Sequence, residues 1–516
     1  MAARLSTQVG AVVFGRIIVS LIDTLKAFLL VRLLTKDDYG ALAFALTWQA
    51  TAIGLGMLSL PDSLLYFLPR AEQGVRRALV RQTLILLGVI GLSLGAFIAL
   101  FALIPGAQPF ERADMTPALA CIGLAVALDL PAGALASFLL GMERHRTSSL
   151  IALSLSVIAN LALLIPAWLG ATPVEILLVY DLVAFLRLAV TWTAWLRVFR
   201  GVAAEPFPGG VRAQLGFALP LSLNGLAGLA NKYFATYVSG WLLSAASFAD
   251  FAIGGRELPF VKMIPNAVAI AILPRLSQIA GAGSDKLAAG RAALALWHTS
   301  IDRVALVMLP IACYCFVEAE PLLRVLYGAN YESAALPFRI TTLVLPLRVT
   351  SYGHMLLALG KPRAILRSQL AGMAFNALVT APLIAWAWFG DDVSPGPRTR
   401  IAWACAAGIA ATYIIVGSML RDIGRETQFG LRGVFPWPSY ARRLALALLA
   451  TTPLIVWRLF FPDVDGFVSG AAALIGRLLL YAACYLALIL SAGLVPPNDR
   501  AVIMQWLRLE PLWRRE

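Results

Sequence analysis

The chain has 516 residues, 60% hydrophobic and 14% charged, with a formal net charge of +14. That make-up excludes a soluble globular domain of any size. It also weighs against nucleic-acid binding, because no basic cluster is backed by a soluble fold that would present it.

A hydrocarbon core about 30 Å thick needs on the order of 20 apolar residues per helix. Windows of that length fill the chain, so the predicted fold is an all-α polytopic membrane protein of about 14 transmembrane helices. In chain order the spans fall at 8–34, 39–61, 77–104, 116–140, 148–170 and 174–198. A second set follows at 214–238, 248–273, 298–318, 332–358, 365–389 and 400–420, and a last pair at 441–461 and 468–494. Residues 1–7 read as a short polar lead, since the first apolar stretch is too long for a signal peptide and has no small-residue cleavage site.

An even number of spans puts both termini on one side. Of the 42 Lys and Arg, about 25 then fall in loops on the side of the termini and about five (Lys36, Arg112, Arg324, Arg398, Arg400) on the other. The asymmetry predicts both ends in the cytoplasm and explains the net charge as topology plus attraction to anionic lipid.

Ionisable groups inside a span are costly and face a cavity or a partner. In the first span Arg16, Asp23 and Lys26 are spaced by seven and three, within an arc of roughly 80° on one helix face. They read as the wall of a hydrated cavity, against the plainer reading of an Asp23–Lys26 ion pair that only fixes packing. In the seventh span Asn224 and Asn231 share a face, with Lys232 beside them. The eighth carries Arg256, Glu257 and Lys262 around Pro259, where the broken hydrogen-bond ladder suits a water-lined position; local pairing of Arg256 with Asp250 or Glu257 is the alternative. Arg348 in the tenth span is a further candidate, with Arg339, Asp302 and Arg303 weaker ones. Asp129, Asp181 and Arg187 read equally well as glue within one bundle, and Arg458 and Arg477 lie in the last pair, away from any cleft.

The chain also repeats itself. Leu33–Ala43 aligns without gaps on Leu242–Ala252, an offset of 209, and Gly141–Asn160 resembles Gly360–Asn376, an offset of 216 at the asparagine. Six helices separate the copies, so both run in the same direction through the membrane. This predicts a first lobe at 1–200, a second at 201–425, and an extra helix pair with an amphipathic cytoplasmic tail at 426–516. The 209 offset places Lys232 opposite Asp23, as a charge pair across the cleft between lobes.

The 6+6+2 pattern, the segment LLTKDDYGALAFA from Leu33 and the segment LYGANYESAALPFRI from Leu326 to Ile340 resemble the Wzx-type polysaccharide-biosynthesis exporters. These share the MOP superfamily with MATE multidrug exporters and the lipid II flippase. The resemblance implies two lobes rocking about a central cavity in the inner (cytoplasmic) membrane. Its implied substrate is a lipid-linked (polyprenyl-pyrophosphate) oligosaccharide or polysaccharide repeat unit. Arg and Lys in the cavity would suit the pyrophosphate, guanidinium as a bidentate fork and ammonium as a point charge. Membrane lipids and a polymerase or glycosyltransferases of the same pathway are the expected partners. A MATE-like cation-coupled exporter of small amphipathic molecules, a lipid II-type precursor flippase and a scaffold or scramblase are the alternatives. No cofactor is expected, and a coupling ion, H+ or Na+, is left open.

An enzyme reading finds no support. His145, His298 and His354 are scattered without metal-ligand spacing, no phosphate-cradling P-loop is present, and the five cysteines form neither a disulfide framework nor a zinc pattern.

Overall fold

The computed structural model describes residues 18–19, 21–104, 110, 112, 114–255, 259–281, 286–382, 397–461 and 466–494. Among these the ordered elements are helices. Eight are long and apolar enough to cross a membrane, and the pair Lys36–Gly56 and Leu60–Arg70, bent by 42°, makes a ninth.

The helices fall into two compact units, residues 1–255 with 369–411, and residues 256–368 with 412–516. The first unit contains α1 (21–33), α2 (Lys36–Gly56), α3 (Leu60–Phe67), α4 (Gln73–Phe101), α5 (Met115–Ala132), α6 (Ala134–Gly141), α7 (His145–Trp168), α8 (Pro173–Val198), α9 (Gly210–Leu242) and α10 (Ala245–Gly254). Local chemistry sets several of these starts. Thr35 caps α2 by accepting from the Asp38 N–H, and Ser244 caps α10 by accepting from the Ser247 N–H. Thr172 and Glu175 form a reciprocal capping box at α8, with Pro173 in the first turn.

Burial is arranged for lipid rather than water. Val89, Leu92, Leu182 and Phe185 point outward, while small residues fill the contacts between helices. A Cβ added at Gly95 on α4 would overlap the Gly123 carbonyl oxygen on α5, and one added at Gly123 would meet the Gly95 carbonyl in return. Apolar side chains gain nothing by leaving lipid for a helix interface, so close backbone approach supplies the packing.

In the second unit α11 (Pro259–Gly281), α12 (Lys286–Val317), α13 (Ala319–Tyr327), α14 (Ala335–Thr342), α15 (Tyr352–Ala358) and most of α16 (Pro362–Phe375) are joined by the inner half of α17 (Pro397–Glu426). The last pair, α18 (Trp437–Leu449) with α19 (Thr452–Phe460) and α20 (Phe467–Ser491), belongs to the same unit. Trp297 is fully buried at its centre, and its indole N–H donates to the Thr350 hydroxyl at 2.8 Å. The predicted tenth span is the least regular. It is divided into α14, a 3-10 turn at Leu345–Val349 that contains Pro346, and α15.

Arginines of the last pair bind it to α12 and α13. Buried Arg443 on α18 meets Asp302 at 2.5 Å, and Arg477 on α20 meets Glu318 at 3.1 Å, both Arg477 and Glu318 being nearly inaccessible. Arg458 donates to the Val317 carbonyl and lies 3.8 Å from Glu320. Arg339 also lies 3.8 Å from Glu320.

Candidate functional site

Within the first unit the segment Leu33–Ala43 and its repeat Leu242–Ala252 lie against each other. Lys36 reaches both oxygens of Asp250, at 2.7 and 2.8 Å, and the Asp250 side chain is 7% exposed. Asp37 accepts from the Ala246 N–H at 3.1 Å. A Cβ at Gly40 would overlap the Ala245 carbonyl oxygen, and one at Gly240 would enter the Phe44 ring. Beside them Arg112 bridges Asp38 at 2.9 Å and Asp114 at 2.7 Å.

Below this contact, α9 runs antiparallel along α2 and α3. Trp48 packs edge to face on Tyr237 with centroids 5.2 Å apart, and a Cβ at Gly54 would lie 2.7 Å from the Leu229 side chain. At the far end buried Gln214 donates to Ser63 (2.9 Å) and Thr83 (2.7 Å) and accepts from Gln82 (2.8 Å). Tyr66 stacks on Phe217 at 4.6 Å, with Arg70 over the Tyr66 ring.

The predicted residues are placed as follows. Asp23 accepts from Asn160 at 3.0 Å and lies 3.6 Å from Lys26, so the ion pair of the plainer reading is present. Asn231 donates to the Gln369 carbonyl (2.7 Å) and side-chain oxygen (3.0 Å) and accepts from Asn376 at 3.1 Å. Asn376 in turn accepts from Thr380, across a π-helical turn at Asn376–Thr380. The Asn224 side-chain oxygen is buried and makes no hydrogen bond. Lys232 is exposed, donates to the Tyr233 hydroxyl at 2.9 Å and lies over that ring.

Asp23 and Lys232 are therefore not brought together. The asparagines explain why: Asn160 binds Asp23 and Asn376 binds Asn231, so the residue standing where Asp23 stands is Asn231, at an offset of 231 − 23 = 208. A slip of one residue turns a helix by about 100° and carries Lys232 off the shared face. Arg16, Arg256 and Glu257 lie outside the described residues. Lys262 is in α11, where its backbone alone is described, and Arg348 is half-buried in the 3-10 turn of the second unit.

One charged cluster is internal to the first unit. A single Arg187 nitrogen contacts both oxygens of buried Asp129 at 2.9 Å, and Gln49 donates to the same carboxylate at 2.9 Å. These residues join α2, α5 and α8 and fit the reading as glue. The Trp48–Tyr237 contact and the Gln214 cluster escape sequence reasoning, because each joins helices far apart in the chain. The described residues contain no group of three or more His, Cys, Asp or Glu able to hold a metal ion.

Long apolar helices with charge pairs buried among them define a multi-pass membrane protein. The profile of one family, described as "Polysaccharide biosynthesis protein", matches residues 6–280, more than half of the chain. The chain belongs to that family. No curated protein matches it in sequence. Among solved structures it is similar to the lipid II flippase MurJ in an inward closed conformation, with a TM-score of 0.62, 14% identity and coverage of 93% of this chain and 97% of that one. It is also similar to the eukaryotic MATE transporter AtDTX14, at TM-score 0.51, 13% identity and coverage of 84% and 99%. An inward-facing MATE-family multidrug transporter gives 0.50, 14%, 80% and 96%. At these identities the likeness is one of fold.

Proposed function

We propose that the protein is a flippase carrying a lipid-linked, polyprenyl-pyrophosphate oligosaccharide or polysaccharide repeat unit across the inner membrane by alternating access. The observation that carries the reading is the polysaccharide-biosynthesis family match on a fold shared with a lipid II flippase. In this reading both termini are cytoplasmic, the lobes are 1–200 and 201–425, and residues 426–516 form the extra pair and tail. The Lys36–Asp250 contact then closes the outer side. Lys26 and Lys232, with Arg16, Arg256, Lys262 and Arg348, supply positive charge for the pyrophosphate, while Asp23, Glu257, Asn224 and Asn231 set their positions. Polymerase and glycosyltransferases of the pathway are the partners that deliver and consume the lipid-linked glycan.

Deleting the gene and analysing polyprenyl-linked sugars by mass spectrometry tests this directly. One lipid-linked glycan should accumulate on the cytoplasmic leaflet, and restoring the gene should clear it. Unchanged lipid-linked sugars, with increased sensitivity to amphipathic cations, would replace the reading with drug export.

A further inference from the structure

Hydrogen-bonding capacity is left unused at one place where the two repeats touch. Trp48 on α2 and Tyr237 on α9 pack edge to face, 5.2 Å apart at 78°. The Trp48 indole N–H is buried and makes no hydrogen bond, and the buried Tyr237 hydroxyl has only the Thr51 side chain beside it. The Thr51 hydroxyl itself donates to the Thr47 carbonyl at 2.9 Å. Buried polar groups are almost always paired, so an unpaired donor on one of two touching rings calls for a reason. Three more rings continue the contact. Phe44 lies 6.2 Å from Tyr237, Phe101 lies 5.7 Å from Trp48, and Trp241 lies 5.9 Å from Phe101.

Twelve residues separate Trp48 from the outer contact at Lys36, roughly 18 Å along a helix. That puts the pair near the middle of a hydrocarbon core about 30 Å thick, where water is scarce and a ligand hydroxyl is the natural partner for an unpaired donor. Aromatic faces suit the C–H faces of a pyranose ring, while an indole N–H and a phenol hydroxyl hold its hydroxyls. Both halves of that chemistry are present, one on each repeat, so parting the repeats would uncover them together.

We propose that Trp48 and Tyr237 form a sugar-binding subsite, stacking on and hydrogen-bonding to a pyranose of the lipid-linked glycan during its passage. The proposal rests on the flippase reading above and adds to it the residues that touch the sugar rather than the pyrophosphate.

The test uses the full chain in lipid nanodiscs, titrated calorimetrically with two probes, farnesyl pyrophosphate and farnesyl-pyrophosphoryl-N-acetylglucosamine. Wild type should bind the sugar-bearing probe more tightly. Trp48→Phe and Tyr237→Phe, which keep the rings and remove only the polar atoms, should each weaken that probe about three- to tenfold and erode its advantage over the sugarless one. Tyr237→Phe decides alone if Trp48→Phe lowers abundance. Equal loss on both probes, or no loss on either, overturns the subsite while leaving the flippase reading standing. A wild type that binds the two probes equally overturns it as well. A wild type that binds neither removes the lipid-linked reading, and the subsite with it.

Discussion

Asp37 accepts a hydrogen bond from the backbone N–H of Ala246, 209 residues further along the chain. The caps of the two helices that meet there, Thr35 and Ser244, are also 244 − 35 = 209 residues apart. The sequence repeat is therefore realised as two helix starts built on one plan and laid against each other. The charges are not symmetric, however. One copy carries Lys36 and Asp37, and the other carries Asp250 and leaves a bare N–H for Asp37 to cap. That asymmetry turns a geometric repeat into an attractive contact.

The Lys36–Asp250 pair should behave as a latch. Removing one partner strands a poorly hydrated charge, a loss of about 3–5 kcal/mol where the pair is fully buried and less here, because Lys36 remains 24% exposed. Lys36→Asp and Asp250→Lys should each lower the thermal midpoint of the purified protein, and the two together should recover most of it. If the exchanged protein melts no higher than the weaker single variant, the pair contributes nothing as a pair.

Two glycines make the same contact possible. Gly40→Ala would drive a methyl into the Ala245 carbonyl, and Gly240→Ala would drive one into the Phe44 ring, whereas Gly216 has nothing within 4 Å. The first two substitutions should reduce transport several-fold with the protein still inserted, and Gly216→Ala should not. Equal export by all three would mean that the outer contact is looser than its geometry.

The meeting segments Leu33–Ala43 and Leu242–Ala252 were legible in the sequence as a repeat, as were the asparagines at 160 and 376, whereas the caps that start the helices were not read there. The register between Asp23 and Lys232 was not legible either, because the offset drops from 209 at the loops to 208 within the helices. Trp48 and Tyr237 could not be singled out among many aromatic residues, since only the packing of α2 on α9 buries them together and leaves the Trp48 N–H unpaired. Span count was readable where helices run unbroken, as in α4, and blurred where proline divides them, as between α14 and α15.

Arg187 and Asp129 join α8 to α5 inside the first unit. Arg187→Ala should cost about 3–5 kcal/mol of stability, because it strands the Asp129 carboxylate among apolar helices. Replacing both at once, Arg187→Met with Asp129→Leu, should restore much of it, since a well-packed apolar pair needs no compensation. Detergent-melting midpoints of the three variants measure this. A double variant as unstable as Arg187→Ala would mean that Gln49 needs the carboxylate as much as Arg187 does.

The basic loops predict both ends on the cytoplasmic side, and labelling tests that orientation. A cysteine placed at Gly170, in the turn between α7 and α8, should react with an impermeant maleimide added to whole cells. Cysteines at Glu143 and Ala203 should react only after the membrane is opened. The reverse pattern would invert the topology and move the Lys36–Asp250 contact to the cytoplasmic side.

Asp23 is the residue whose partners change most between sequence and structure, and double-mutant cycles on transport separate the two accounts. Asn160 donates to Asp23 at 3.0 Å, so neutralising Asp23 and replacing Asn160 should be strongly non-additive, with a coupling of about 0.5–3 kcal/mol. Asp23 and Lys232 share no contact, and the loss from Asp23→Ala with Lys232→Ala should be close to the sum of the single losses. Asp23→Asn keeps an acceptor for Asn160 but removes the charge facing Lys26, 3.6 Å away. It should therefore spare stability and reduce transport if the charge serves the cavity, and change neither if the group only anchors α7 to α1. A large Asp23–Lys232 coupling would show that the two meet in another conformation of the cycle, and would restore the cross-cleft pair that the sequence repeat suggested.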